Sequence, residues 1–236
     1  MDKDNYFIKK GYKSRKVNHT LSVSSDDLYW SENRLFLSNF YQSGVYKYAR
    51  ILIKRYKLTN VIDIGCGPAV KLMKLIYPIC ADVTGVDQQE AIDFCKKHYK
   101  AGNFLVDNLE MPKLHLGRFD CIICADVIEH LVDPDAILKY IRELSNDNSV
   151  IIISTPERDI LRGKDCMTSP KPEHVREWNY TEFRAYLESR GFEIKEQKVI
   201  PFMGFSFDKR VRNIRKELKQ KTGTLNSTQL VLCKIK

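Results

Sequence analysis

No apolar stretch in the 236 residues approaches the roughly 20 that span a bilayer. The charged opening MDKDNYFIKKGYKSRK is followed by no apolar core of a secretory signal. Both absences argue against a membrane-spanning protein and predict a soluble, cytoplasmic one. Internal repeats and low-complexity tracts are missing too. Small-domain cysteine spacing is also lacking. The seven cysteines (Cys66, Cys80, Cys95, Cys121, Cys124, Cys166, Cys233) are odd in number and scattered, so they read as free thiols in a reducing compartment. A chain this long buries a core without disulfides. Cys121 and Cys124 form a C-x-x-C inside the apolar run FDCIICAD. Strand residues three apart point to opposite faces, which argues against a metal or redox pair.

What is present is charge and alternating periodicity. The net charge is +9, which suits an anionic partner such as nucleic acid, a nucleotide-sugar or a membrane surface. Much of the excess lies in KRVRNIRKELKQK, 209–221, where seven basic residues face one acid, Glu217. RNA binding through 209–221 is one reading. A solvated helix face is the other, since no aromatic residues interleave there to stack bases. From about residue 45 onward, strand-like and helix-like periods alternate, the pattern of a mostly parallel sheet with crossover helices. The spacing predicts a helix over 45–57, then strands at 61–64, 82–87, 103–107, 119–126 and 150–154. Helices are expected from Pro68, over QEAIDFCKKHY, from Asp133-Pro134 and after Asn179, which forms a capping pair with Glu182. A long loop follows the fifth strand, and FEIKEQKVI and TQLVLCKI supply two last strands flanking the basic segment. Two domains follow: residues 1–44, rich in aromatics (Tyr6, Tyr12, Tyr29, Trp30, Phe36, Phe40, Tyr41), as a cap over the ligand edge and substrate site, and 45–236 as the catalytic domain. The first dozen residues are expected to lack order.

In an open α/β sheet, ligands sit outside the carboxyl ends of the strands. There the sequence places VIDIGCGPA, with Gly65 and Gly67 able to bring backbone close to a ligand and Ala69 where a dinucleotide fingerprint has glycine or alanine. G-x-G alone leaves nicotinamide, flavin and other nucleosides open. Asp63 narrows the choice: a carboxylate beside the turn repels a pyrophosphate and suits an ammonium or sulfonium. Asp87 is placed to accept from two ribose hydroxyls, and Asp107 from an adenine amino group, although strand-end aspartates also cap helices.

VIDIGCGPA, Asp87, Asp107, FDCIICADVIEHLVDP and EFRAYLESRGFE, in that order, resemble the motifs of class I S-adenosylmethionine-dependent methyltransferases. The resemblance implies a Rossmann-like, seven-stranded, mostly parallel sheet with an antiparallel last strand and helices on both faces. It further implies that Asp63, Gly65, Cys66 and Gly67 hold the methionine portion of S-adenosylmethionine. Asp87 and Gln88 would hold the ribose, Asp107 and Asn108 the adenine edge, with backbone near Ala125 closing the site.

Methyl transfer from a sulfonium is an in-line displacement, so a hydroxyl acceptor must be aligned and relieved of its proton. If residues 126–130 form a helical turn, Asp126, Glu129 and His130 share a face, and the later PEHVREW adds His174. These four are the candidate catalytic residues. They resemble the group with which small-RNA 2′-O-methyltransferases hold a divalent metal, magnesium or manganese, on vicinal ribose hydroxyls, although that family begins with glutamate where this chain has Asp126. Ubiquinone-pathway O-methyltransferases carry a similar cluster for a catechol. His130 or His174 as a metal-free general base is the alternative. STPERDILRGKD and PKPEHVREWNYTEF are similar to loops of methyltransferases associated with glycan synthesis, which implies a sugar hydroxyl as acceptor. RNA ribose and catechol-type acceptors are the alternatives. A binding module without turnover and a dinucleotide oxidoreductase are the readings from other classes.

Overall fold

The computed structural model describes residues 1–18 and 30–236; Tyr29 lies outside them. Helix α1 covers Glu32–Ser38 and α2 Ser43–Tyr56. Strand β1 (Asn60–Ile64), β2 (Asp82–Asp87), α3 (Gln89–His98), β3 (Asn103–Val106) and β4 (Phe119–Ala125) follow. Then come α4 (Pro134–Glu143), β5 (Ser145–Pro156), α5 (Arg158–Arg162), α6 (Tyr180–Ser189), β6 (Phe192–Pro201), α7 (Lys209–Thr222) and β7 (Asn226–Ile235). The strands form one seven-stranded sheet in the order β3-β2-β1-β4-β5-β7-β6. Only β7 runs antiparallel, to both β5 and β6. Strand order reverses between β1 and β4, so the switch point lies at the carboxyl ends of these two strands.

The apolar runs of β1, β4 and β5 are buried on both faces, as a parallel sheet between helices requires. Val45, Ala49, Leu52 and Ile53 of α2 pack one face together with Cys121. Ile137 and Ile141 of α4 and Phe183, Tyr186 and Leu187 of α6 pack the other together with Cys124. The two cysteines therefore do point to opposite faces, and all seven are free thiols. Asp133 caps α4 by accepting from the Asp135 N–H, with Pro134 in the first turn. Asn179 and Glu182 form a complete capping box on α6.

Three expectations are corrected. The helix expected from Pro68 starts only at Val70 and soon becomes a π-helical turn over Leu72–Ile76. Ala69 stands in the left-handed region at φ +52 and cannot be part of a right-handed helix. The long loop after β5 contains α5, whose first turn Glu157 caps by accepting from the Ile160 N–H. The first residues fold onto the domain, with Ile8 and Tyr12 buried. Ile8 and Tyr12 join the core beside Trp178, whose Nε1 donates to the Tyr6 carbonyl at 2.8 Å. Lys13 and Arg15 N–H groups pair with the carbonyls of Met167 and Val175. This strap holds the 158–178 segment, whereas Trp30, Leu37 and Tyr41 line the ligand edge of the sheet.

Candidate active site

A cavity of about 580 Å³ opens at the carboxyl ends of β1, β2 and β4. Its floor is the turn after β1. Gly65 has φ +76, and a Cβ there would come within 2.3 Å of Val127. Gly67 has φ +55 and lies under the Trp30 ring, 2.9 Å from where its Cβ would be. Neither position admits a side chain. The Gly65 and Cys66 N–H groups bond to the Val86 carbonyl, which ties the turn to β2. Asp87, at the end of β2, accepts from Gly67 N–H and Gln88 N–H, both at 2.7 Å. One oxygen serves each donor, so each keeps a lone pair for a ligand hydroxyl. Burial raises the Asp87 carboxyl, and the two N–H groups oppose that shift. Gly65, Cys66, Gly67, Asp87, Gln88, Asn108 and Ala125 all line the cavity.

Asp63 and Asp107 are not among the residues that line it. Asp107 accepts from the N–H groups of Asn108, Lys113 and Leu114 and organises the loop after β3. Its neighbour Asn108 is the residue that faces the cavity. Asp63 is fully buried behind the turn, with Oδ2 accepting from the Tyr46 hydroxyl at 2.8 Å. Its Oδ1 is buried with no protein partner among the described residues. Burial pushes the Asp63 carboxyl up to about 7, against the hydrogen bond from Tyr46 and the charge of Lys71.

Lys71 is a cavity residue that sequence reasoning passed over. It is 9% exposed, donates to the Ser38 carbonyl at 3.0 Å and lies 5.1 Å from the Tyr46 ring centre. Burial lowers its pKa, while the charges of Asp63 and Asp126 oppose that. The signal was a lysine four residues beyond Gly67, on the inward side of the following helical turn.

The other wall brings Glu129, His130 and His174 together, with one ligating atom of each within 4.8 Å of the others. Residues 128–130 form a 3-10 turn rather than an α-helical one. Main-chain pairing zips this turn to the 173–176 segment. Val175 N–H bonds to the Glu129 carbonyl at 2.8 Å, and the Arg176 guanidinium donates to the carbonyls of Leu131 and Val132. His130 Nδ1 lies 2.8 Å from the Glu173 carbonyl. A carbonyl only accepts, so Nδ1 carries the proton and the Nε2 lone pair is free. His174 Nδ1 meets Glu177 Oε1 at 2.5 Å, which assigns the same tautomer. Glu129 Oε2 accepts from the Thr155 hydroxyl at 3.1 Å. Its Oε1 is buried without a protein partner among the described residues, 4.0 Å from His130 Nε2. Burial, then the charge of Asp126, pushes the Glu129 carboxyl well above the usual range.

Asp126 stands apart from this trio. It lines the cavity, but its backbone is left-handed at φ +53 and Oδ1 accepts from the Ser154 hydroxyl at 2.6 Å. Where four residues were expected to converge, three do. The aspartate side chain is one methylene shorter than glutamate, and its backbone conformation and Ser154 hold it aside.

Residues 28–197, more than half of the chain, match a family model described as a methyltransferase domain. Among curated proteins, 111 residues are 28% identical to the ubiquinone biosynthesis O-methyltransferase of Actinobacillus pleuropneumoniae, covering 43% of this chain and 47% of that protein. A 164-residue match is 29% identical to the small RNA 2′-O-methyltransferase of Mus musculus, covering 60% of this chain and 40% of that protein. The chain thus spans less than half the length of each of these relatives. Among solved structures, the plantazolicin methyltransferase BamL, in complex with a triazolic analogue and S-adenosylhomocysteine, superposes with a TM-score of 0.59 at 19% identity. That superposition covers 82% of this chain and 84% of BamL. With the 3-2-1-4-5-7-6 sheet and the glycine turn at its switch point, the chain belongs to the methyltransferase-domain family and is a class I S-adenosylmethionine-dependent methyltransferase.

Proposed function

We propose that the protein transfers a methyl group from S-adenosylmethionine to a hydroxyl of a sugar, in a glycan or glycosylated precursor. The carrying observation is the convergence of Glu129, His130 and His174 on the cavity wall, at the ligand edge where the glycine turn also lies. In this reading Gly65, Cys66 and Gly67 carry the methionine portion. Its ammonium lies over the buried charge of Asp63, and its carboxylate toward Lys71. Asp87 and Gln88 take the ribose, Asn108 the adenine edge, and Ala125 backbone closes the site.

The acceptor oxygen attacks the methyl carbon, the sulfur–methyl bond breaks, and S-adenosylhomocysteine leaves. The hydroxyl proton must go to a base. Both Nε2 atoms point away from the partners that hold Nδ1; burial, then the neighbouring His174, lowers the His130 imidazole to about 3, so His174 is the base in this reading. The same three donor atoms suit a divalent cation, and the unpartnered Glu129 Oε1 fits that use. Two imidazoles beside one carboxylate favour manganese over magnesium. Bound there, the ion would lower the pKa of a vicinal diol. Glu129, His130 and His174 would hold it, and Asp126 would position the acceptor.

The sugar assignment rests on the resemblance of residues 154–183 to loops of glycan-associated methyltransferases. A second reading, methylation of a ribose 2′-hydroxyl in RNA, draws on the similarity to the mouse small RNA 2′-O-methyltransferase. S-adenosylhomocysteine release with a panel of glycosides, single-stranded RNA and catechols, with and without manganese, tests both. Turnover confined to glycosides supports the proposal, turnover on RNA selects the second reading, and turnover only on amines or carbon acids ends both.

A further inference from the structure

Antiparallel neighbours such as β6 and β7 can be joined by a two-residue turn. Pro201 pairs with Asn226, yet residues 202–225 intervene and build a cationic helix. Helix α7 buries only Val211 fully, which packs with Leu37 and Met203. Lys209, Arg212, Lys216 and Lys219 recur three or four residues apart, so they share one side of the helix, and all four are exposed.

The segment leading into α7 carries Phe205 and Phe207, 63% and 85% exposed. Their rings meet edge to face, with centroids 5.0 Å apart at 81°. Arg215 of α7 donates to the Met203 carbonyl at 2.6 Å and sits 5.9 Å from the Phe205 ring centre. The same segment is anchored beside the cavity, since Gly204 N–H bonds to the Phe40 carbonyl, and Phe202 both packs on Tyr41 and lines the cavity. Two large apolar rings in water next to a run of cations are a combination that an anionic lipid surface satisfies on both counts. An RNA would instead need open ring faces on which bases stack. Here one ring's edge covers the other's face, forming a wedge.

We propose that Phe205, Phe207 and the cationic side of α7 form a docking surface for an anionic lipid bilayer, holding the cavity mouth against the membrane. The contact is peripheral, since no helix among the described residues is long and apolar enough to cross a membrane. The proposal goes beyond the acceptor assignment and does not depend on it.

Co-sedimentation of the full chain with phosphatidylcholine vesicles, and with vesicles also containing phosphatidylglycerol, tests it. Binding to the anionic vesicles should exceed binding to the neutral ones by at least about tenfold. Phe205→Ser with Phe207→Ser should lose most of that binding, and so should Lys209→Glu with Lys216→Glu. S-adenosylhomocysteine affinity, measured on the same samples, should stay unchanged and report an intact fold. Equal or absent binding to the two vesicle types would overturn the proposal. So would full binding by both double variants, or binding to single-stranded RNA without binding to vesicles.

Discussion

Glu177 Oε1 lies 2.5 Å from His174 Nδ1, and the same carboxylate is forked by Arg162 through Nε and Nη2, each at 2.9 Å. The Ser169 hydroxyl adds a further donor at 3.0 Å. Burial pushes the Glu177 carboxyl up, but His174 and Arg162 outweigh it and hold it well below the usual range. An ionised Glu177 keeps a proton on His174 Nδ1, which leaves Nε2 as the nitrogen available for the proposed transfer.

Glu177→Gln keeps the size and one acceptor oxygen but removes the charge. Turnover should fall by about ten- to a hundredfold, with cofactor affinity unchanged, since Glu177 does not line the cavity. Steady-state rates beside calorimetric S-adenosylhomocysteine binding check this. Parallel loss of both would make Glu177 a merely structural residue.

Gly65→Ala should abolish cofactor binding. The new methyl would sit 2.3 Å from Val127 at a backbone φ of +76 that disfavours any side chain. Calorimetry with S-adenosylhomocysteine reads the loss, and circular dichroism distinguishes it from unfolding.

Arg158 is 1% exposed and grips Glu182 with Nη1 and Nη2 at 2.6 and 2.9 Å. Glu182 also accepts the Lys9 N–H at 3.0 Å. Glu182→Ala leaves Asp159, at 2.9 Å, as the remaining acidic partner of the buried Arg158 and removes the α6 capping box, so it should cost about 3 kcal/mol. Urea unfolding measures it, and a loss below about 1 kcal/mol would contradict the assigned geometry.

Asp63 gives a pH dependence with a definite sign. Its carboxyl is pushed up to about 7 in the folded chain, above the unfolded value of about 3.9. Between these values the folded state binds more protons than the unfolded one, so this group's contribution falls as pH rises from about 4 to about 7 and levels off above. Asp63→Asn should flatten that slope. Urea unfolding at several pH values compares the two proteins, and an unchanged slope would refute the shift.

The sheet was legible because β1, β4 and the centre of β5 are short apolar runs bounded by polar residues, β6 opens with alternating Phe192 and Ile194, and β7 carries the apolar run 230–233. Asp133-Pro134 and Asn179 with Glu182 mark helix starts by local chemistry, so their helices were legible too. Ala69 was not: nothing in GCGPAV says that a non-glycine residue turns left-handed, and this delays the helix to Val70. The strap carrying Ile8 and Tyr12 escaped notice because its partners, Trp178 and Glu182, lie more than 150 residues away. At the site, Glu129, His130 and His174 followed from residue type and order. That Asp126 turns aside to Ser154, and that Asp107 is spent on three backbone N–H groups, depends on tertiary geometry that spacing does not encode.

The most direct test of the central claim is the position of the transferred methyl. With carbon-13-labelled S-adenosylmethionine and a glycoside acceptor, the product's NMR spectrum should show the label as an ether methyl on a former hydroxyl oxygen of the sugar, and Glu129→Ala with His130→Ala should abolish it. A label on nitrogen or carbon, or an undiminished rate in that double variant, would contradict the account.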